Sequence, residues 1–112
     1  TSHGNYPEGM VPKFDIERLK KIKSLTGAPL VLHGGSGSGE ENIINSVKGG
    51  INKINVGCDF MNANRDAVAK LLKEDPDINY FDLIHKTEEL SKATVKYYIE
   101  LSGSKGKNKN LR

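Results

Sequence analysis

The chain has no tryptophan, a single cysteine (Cys58), four prolines and only 6% aromatic residues among its 112 positions. One cysteine excludes an intrachain disulfide framework and fits a reducing, cytoplasmic setting. No apolar run approaches the roughly 20 residues of a membrane span, and no signal-peptide core stands at the start. The sequence opens at Thr1 without an initiator methionine, and an apolar fraction of 36% is low for a self-sufficient core. Together these features predict a soluble C-terminal segment of a larger fold. A basic face is lacking as well. The formal net charge is +3, and its excess sits in Lys105, Lys107, Lys109 and Arg112. Nucleic-acid binding needs basic residues gathered on a folded surface, whereas a Gly/Asn-rich end predicts a flexible, solvated tail over 103–112.

What the chain does have is an alternation of helical and strand patterns. Asn5 to Lys13 contains two prolines and a glycine and reads as an extended loop. A helix follows, with Asp15 as N-cap, a stripe of Ile16, Leu19, Ile22 and Leu25, and Gly27 as its C′ residue. The apolar run Pro29 to Leu32 has the pattern of a strand buried on both faces. Ser38-Gly39-Glu40-Glu41 reads as a capping box for a helix carrying Ile43, Ile44 and Val47, closed by Gly49-Gly50. Ile51 to Val56 reads as a second strand, and Asp59 as the cap of a helix ending before Asp75-Pro76-Asp77. A long amphipathic helix from about Tyr80 to Ser102 ends at Gly103. This order predicts a parallel α/β sheet with helices outside it, and two strands are too few to complete one.

Both strands end in polar or glycine positions, at the edge where parallel α/β proteins bind ligands. His3 and His33 each precede a glycine there. Imidazole is the commonest transition-metal ligand, and a neighbouring glycine lets backbone approach what the metal holds; the competing reading is a hydrogen-bonded structural histidine. Gly34-Gly35-Ser36-Gly37-Ser38 supplies small residues, N–H groups and two hydroxyls before a helix. That is a phosphate cradle by mechanism, or else a flexible loop, since it has neither a P-loop lysine nor the dinucleotide-binding spacing. Its position at a strand end favours the cradle. Asn55 can bind substrate or bridge strand ends. Cys58 can be a lowered-pKa thiol or a small packing residue, and no paired base favours the packing role. His85 reads as a surface residue, and Tyr97 and Tyr98 as core and boundary residues.

Taken together, Thr1-Ser2-His3-Gly4, the Pro29-to-Ser38 block, Lys53-Ile54-Asn55-Val56 and Gly103-Ser104-Lys105-Gly106-Lys107 resemble the C-terminal third to two fifths of the class II, metal-dependent ketose-bisphosphate aldolases. The resemblance implies the last two strands, their helices and a C-terminal helix of a (β/α)8 TIM barrel, so that residues 1–112 are one part of a single domain. It implies reversible cleavage of a ketose 1,6-bisphosphate, of fructose or tagatose type, to dihydroxyacetone phosphate and glyceraldehyde 3-phosphate. Zn2+ would polarise the carbonyl, so no lysine Schiff base is needed. His3 and His33 match two of three zinc-binding histidines. Gly4, Gly34, Gly35, Ser36, Asn55, Val56, Gly57 and Cys58 match positions that bind dihydroxyacetone phosphate. A monovalent cation (K+ or Na+) near the Gly4 and Gly34 backbone and a homodimer or homotetramer are implied as well. The third histidine, the proton-donating aspartate and a mobile-loop glutamate belong upstream of Thr1 in that family, so none of the residues present is assigned a catalytic role and the segment alone is expected to be inactive.

Three positions depart from the fructose-specific pattern. Gly57 stands where an aspartate is usual, Cys58 where a hydroxyl is usual, and Met61 where an arginine often reaches a neighbouring subunit's phosphate. Losing a carboxylate and a guanidinium removes charge-assisted contacts to a sugar hydroxyl and a second phosphate. Two other functions therefore stand beside the first: a non-catalytic phosphosugar-binding barrel, and an aldolase for another phosphorylated keto sugar acid. A purely structural βα module is the third alternative.

Overall fold

A computed structural model describes residues 10–107. The elements run α1 (Ile16–Thr26), β1 (Leu30–Leu32), α2 (Glu40–Lys48), β2 (Ile51–Ile54), α3 (Cys58–Glu74) and α4 (Tyr80–Leu101). This is the expected alternation, with β2 ending two residues before Val56. The N-terminal turn with His3 and Gly4 and the last residues of the chain lie outside the described residues.

α1 starts where Asp15 accepts the Arg18 N–H at 2.9 Å and stops at Gly27, whose φ of 62° is a left-handed cap. Its side chains lie close against the start of β2. Lys23 Nζ donates to Ala28 O at 2.8 Å and to Asn52 Oδ1 at 3.0 Å. The strands pair in parallel, Leu30 with Ile51, Val31 with Lys53 and Leu32 with Ile54, with a register irregularity after Leu30. Asn52 repairs that irregularity. Skipped by the ladder, it accepts the Leu30 N–H on its side-chain oxygen at 3.0 Å, which gives that backbone donor a partner where the strand pairing is irregular.

The helices cover one face of this two-stranded sheet. Leu32 is buried on that side, while Val31 is 43% exposed and His33 and Lys53 are exposed. The strand around Leu32 was expected to be buried on both faces; within the described residues it is covered on one. The period of two along a strand therefore gathers Val31, His33, Lys53 and Asn55 on the uncovered face. The packed core is correspondingly thin: among the described residues, Leu32, Ile43, Ala67 and Leu71 are the buried hydrophobic ones. The radius of gyration is 17.2 Å, against about 13 Å for a compact domain of 100 residues. The chain forms a layer, with extents of 57 × 43 × 18 Å.

α3 and α4 form a helical hairpin, with Ala67 and Leu71 of α3 and Thr87 and Ser91 of α4 buried. Asn79 caps α4 by accepting the Asp82 N–H at 3.1 Å. After α4, Gly103 N–H bonds Glu100 O at 2.9 Å, Ser104 N–H bonds Ile99 O at 2.9 Å, and Lys105 pairs with Glu100.

Candidate functional site

The site lies where the two strands end. Beyond the strand pairing, Asn55 N–H donates to Leu32 O and Gly35 N–H donates to Asn55 O, both at 2.9 Å. These two bonds bring the loop after β1 against the loop after β2. Side chains then meet above them. Asn55 Nδ2 lies 3.0 Å from His33 Nδ1, and Lys53 Nζ donates to Asn55 Oδ1 at 2.6 Å.

In the Gly34–Ser38 loop the expected cradle residues turn partly inward. Ser36 is 4% exposed, and its hydroxyl oxygen accepts the N–H groups of Gly57 at 3.3 Å and Asp59 at 3.1 Å. α3 has no side-chain cap of its own, since Gly57 holds the N-cap position. Ser36 thus caps α3 from another loop. Replacing it with alanine leaves two helix-terminal donors without an acceptor and is expected to cost about 1–2 kcal/mol. Hydrogen exchange of the Gly57 and Asp59 amides reads this directly, and unchanged protection would refute the capping role.

Two expected caps are corrected here. Ser38 does not cap α2; its hydroxyl turns back to donate to Gly34 O at 2.6 Å, and Gly39, at φ 82°, is the N-cap residue. The backbone needs a left-handed residue at that point, which moves the helix start one position past the serine. Asp59 does not cap α3; the helix begins at Cys58 and Asp59 sits in its first turn. Its carboxylate instead accepts a bond from the Tyr98 hydroxyl, while Tyr97 donates to Glu40 Oε1 at 2.9 Å. Adjacent tyrosines of α4, with rings 5.1 Å apart edge to face, thereby hold the first turns of both α2 and α3.

Burial, and then the bond to Asp59, push the Tyr98 phenol above its ordinary value. The folded chain therefore keeps this proton at pH values where the unfolded chain has lost it. The stabilisation is complete below about pH 10 and declines as pH rises beyond it. Tyr98→Phe is expected to flatten that alkaline decline in unfolding experiments; an unaltered pH profile would show that Tyr98 does not carry it.

Of the residues named from sequence, the structure joins His33 to Asn55 and links Gly35, Ser36 and Gly57 by hydrogen bonds across the two loops. Val56 is half-buried, Cys58 is exposed at the first position of α3, and Met61 is 63% exposed. A side chain at Gly57 would meet nothing nearer than Met61 Cε at 3.7 Å, so the missing carboxylate is a matter of sequence and not of space. His85 is exposed, as its polar neighbourhood implied. Lys53, Asn52 and the tyrosine clamp were missed. Lys53 was the findable one: two residues before Asn55 on a strand, it must share Asn55's face.

A metal needs a converging donor set, and among the described residues no three His, Cys, Asp or Glu side chains come together. One imidazole suits zinc by its chemistry, and His33 stands at the strand end with its ring oriented by Asn55. The described residues fit the ion as one donor of a set. No helix among them is long and apolar enough to cross a membrane.

Comparison with known proteins places this geometry. The chain is 40% identical over 108 residues to a fructose-bisphosphate aldolase of Geobacillus stearothermophilus, covering 94% of this chain and 36% of that protein. A fructose-bisphosphate aldolase of Helicobacter pylori is 36% identical over 131 residues, covering 96% and 42%. The crystal structure of the YdjI aldolase from Escherichia coli K12 superposes with a TM-score of 0.80 at 31% identity, over 95% of this chain and 38% of that one. The chain thus spans roughly two fifths of the length of these relatives. The family model for class-II fructose-bisphosphate aldolase matches residues 1–107, and the chain belongs to that family.

Proposed function

We propose that the complete protein is a zinc-dependent aldolase that reversibly cleaves a ketose 1,6-bisphosphate to dihydroxyacetone phosphate and glyceraldehyde 3-phosphate. In this reading the chain supplies the last two strand units of a (β/α)8 barrel. The observation that carries it is the His33–Asn55 contact at 3.0 Å, beside a glycine- and serine-rich loop at the ends of two parallel strands. The uncovered face with Val31, His33, Lys53 and Asn55 is then the barrel interior, which explains polar side chains on so short a sheet.

His33 and His3 would hold the zinc together with donors from the rest of the barrel. When bound, zinc supplies Lewis-acid polarisation of the substrate carbonyl. The chain's own residues bind and orient. Backbone N–H groups of Gly34 and Ser36, with Gly4, receive the phosphate, while the Gly35 N–H, bound to Asn55 O, holds the loop in place, and the Asn55 amide presents hydrogen-bonding groups to the substrate oxygens. Val56, Gly57 and Cys58 line the same end. Ser36 contributes by fixing α3 against this loop. K+ or Na+ at the Gly34 backbone would offset phosphate charge. We place the enzyme in the cytoplasm as a homo-oligomer.

A second reading is favoured by Gly57, Cys58 and Met61, which supply no charge for a sugar hydroxyl or a distal phosphate. It is an aldolase for another phosphorylated keto sugar acid, or a barrel that binds phosphosugars without cleaving them.

Native mass spectrometry of the purified protein, followed by cleavage assays with fructose 1,6-bisphosphate, tagatose 1,6-bisphosphate and a phosphorylated deoxyketo acid, tests these readings. About one zinc per barrel and cleavage of either bisphosphate are expected. Cleavage of the keto acid alone selects the second reading, and zinc-loaded protein that binds dihydroxyacetone phosphate but cleaves nothing selects the non-catalytic one.

A further inference from the structure

We propose that Tyr98 is a positioning residue for phosphate binding: its hydroxyl holds the Asp59 carboxylate toward α4 and so keeps a built-in anion away from the N–H groups where the two strands end. The inference rests on the reading of the Gly34 and Ser36 amides as the phosphate site. It gives a function to a contact between residues 39 positions apart.

An acidic side chain in the first turn of a helix has two places to put its charge. The N–H groups at the helix start attract it, and they attract a phosphate in the same way. A carboxylate free to turn there competes with the ligand and repels it. Asp59 is such a residue, in the first turn of α3 and two positions after Gly57. It is also tied to the phosphate loop, because its N–H donates to the Ser36 hydroxyl at 3.1 Å and Ser36 is buried. The Asp59 backbone therefore stays at the site, and only its side chain is left to be placed. Tyr98 places it, by donating its hydroxyl to Asp59 Oδ2. Both residues are half-buried, where salt screens a charge poorly.

α4 presents this hydroxyl from a packed helix. α3 and α4 pack against each other, and the Tyr98 ring stands edge to face with Tyr97 at 5.1 Å. Successive residues on a helix point about 100° apart. Tyr97 accordingly reaches a different helix start, donating to Glu40 Oε1 at 2.9 Å in the first turn of α2. The adjacent pair thereby restrains one acidic side chain at each of the two helix starts that follow the strand-end loops. Glu40 is exposed, so solvent and ions already weaken its charge, and Tyr98 carries the larger share of the effect.

The test is calorimetric titration of the zinc-loaded complete protein with dihydroxyacetone phosphate. Tyr98→Phe, which keeps the ring and its contact with Tyr97, is expected to raise Kd about 5- to 50-fold, the usual range of coupling between sites. Asp59→Asn removes the charge and is expected to bind at least as tightly as the wild type. The double variant Tyr98→Phe/Asp59→Asn is expected to bind as Asp59→Asn does. A hydroxyl that only supports the fold gives a different result: the double variant stays as weak as Tyr98→Phe, and the proposal is overturned. Wild-type affinity in Tyr98→Phe, or a loss of affinity in Asp59→Asn alone, overturns it too. Should Tyr98→Phe not fold, Tyr97→Phe puts the same question to α2. A smaller weakening that Glu40→Gln reverses is expected, and a weakening that it does not reverse counts against the proposal. If the wild type binds dihydroxyacetone phosphate but cleaves no ketose phosphate, the aldolase reading falls and the Tyr98 result still decides this one. A wild type that does not bind it removes both.

Discussion

His33→Ala in the complete protein is expected to remove bound zinc and aldol cleavage together. Structural zinc sites bind with roughly 10–16 kcal/mol, so one ligand in four is worth on the order of 3 kcal/mol. That corresponds to a loss of about a hundredfold or more in affinity. Because His33 also meets Asn55 at 3.0 Å, the alanine variant removes two things at once, a donor to the metal and a partner for the amide. His33→Gln separates them. Glutamine can still hydrogen-bond to Asn55 and is a poor zinc ligand, so it should lose zinc as completely as alanine. Metal content after dialysis and steady-state cleavage rates are the measurements. Variants that keep both zinc and turnover would remove His33 from the donor set, and a glutamine variant that keeps both while alanine loses them would make His33 a structural partner of Asn55.

The elements that could be read from sequence are those fixed by local chemistry. Asp15 and Gly27 bounded α1 because a side-chain acceptor and a left-handed residue stand at its two ends, and such signals act within one turn. Gly103 after α4 and Asp75-Pro76 after α3 are of the same kind. The caps that were misassigned depend on distant partners. Ser38 had the spacing of a capping box, yet its hydroxyl is taken by Gly34 O, and Asp59 had the composition of an N-cap, yet Ser36 does that work from 23 positions away. The Asp59 carboxylate answers to Tyr98, 39 positions on. No local window contains those pairs.

The same division holds at the site. His33, Asn55 and the glycine-serine loop stood out because they stand at the strand ends where parallel α/β proteins bind ligands. What could not be read was which of them touch, because that depends on register. A sequence does not reveal that the ladder skips Asn52, and it is that skip which sets Lys53 opposite Val31 and hence Asn55 beside His33. The apolar run ending in Leu32 misled in an instructive way. Its composition suits burial on two faces, whereas the helices of this chain cover one, so the composition describes the complete barrel in the proposed reading.

Gly35→Ala is expected to damage both the fold and the site, and Gly37→Ala only the fold. A Cβ at Gly35 would stand 2.7 Å from Ile54 Cγ2, 3.0 Å from Asn55 O and 3.3 Å from Val56 Cγ2. The nearest atom belongs to a β-branched side chain on a strand, which has little rotamer freedom to retreat. The next is a backbone oxygen that accepts the Gly35 N–H at 2.9 Å, so relieving the clash stretches the bond that joins the two loops. Overpacking of this kind costs about 1–3 kcal/mol, with about 1 kcal/mol more for the weakened hydrogen bond. The atoms displaced are those of Asn55, so binding of dihydroxyacetone phosphate should weaken with stability. Gly37 differs in kind. Its φ is 71° and a Cβ there would meet nothing within 4 Å, so alanine incurs only left-handed backbone strain, about 1–2 kcal/mol. Urea unfolding and ligand titration of the two variants in the complete protein decide the matter. If Gly35→Ala unfolds at the wild-type midpoint and binds as tightly, the close approach of the two strand ends is not what builds the site; if Gly37→Ala alone loses affinity, the loop itself, and not its contact with Asn55, holds the phosphate.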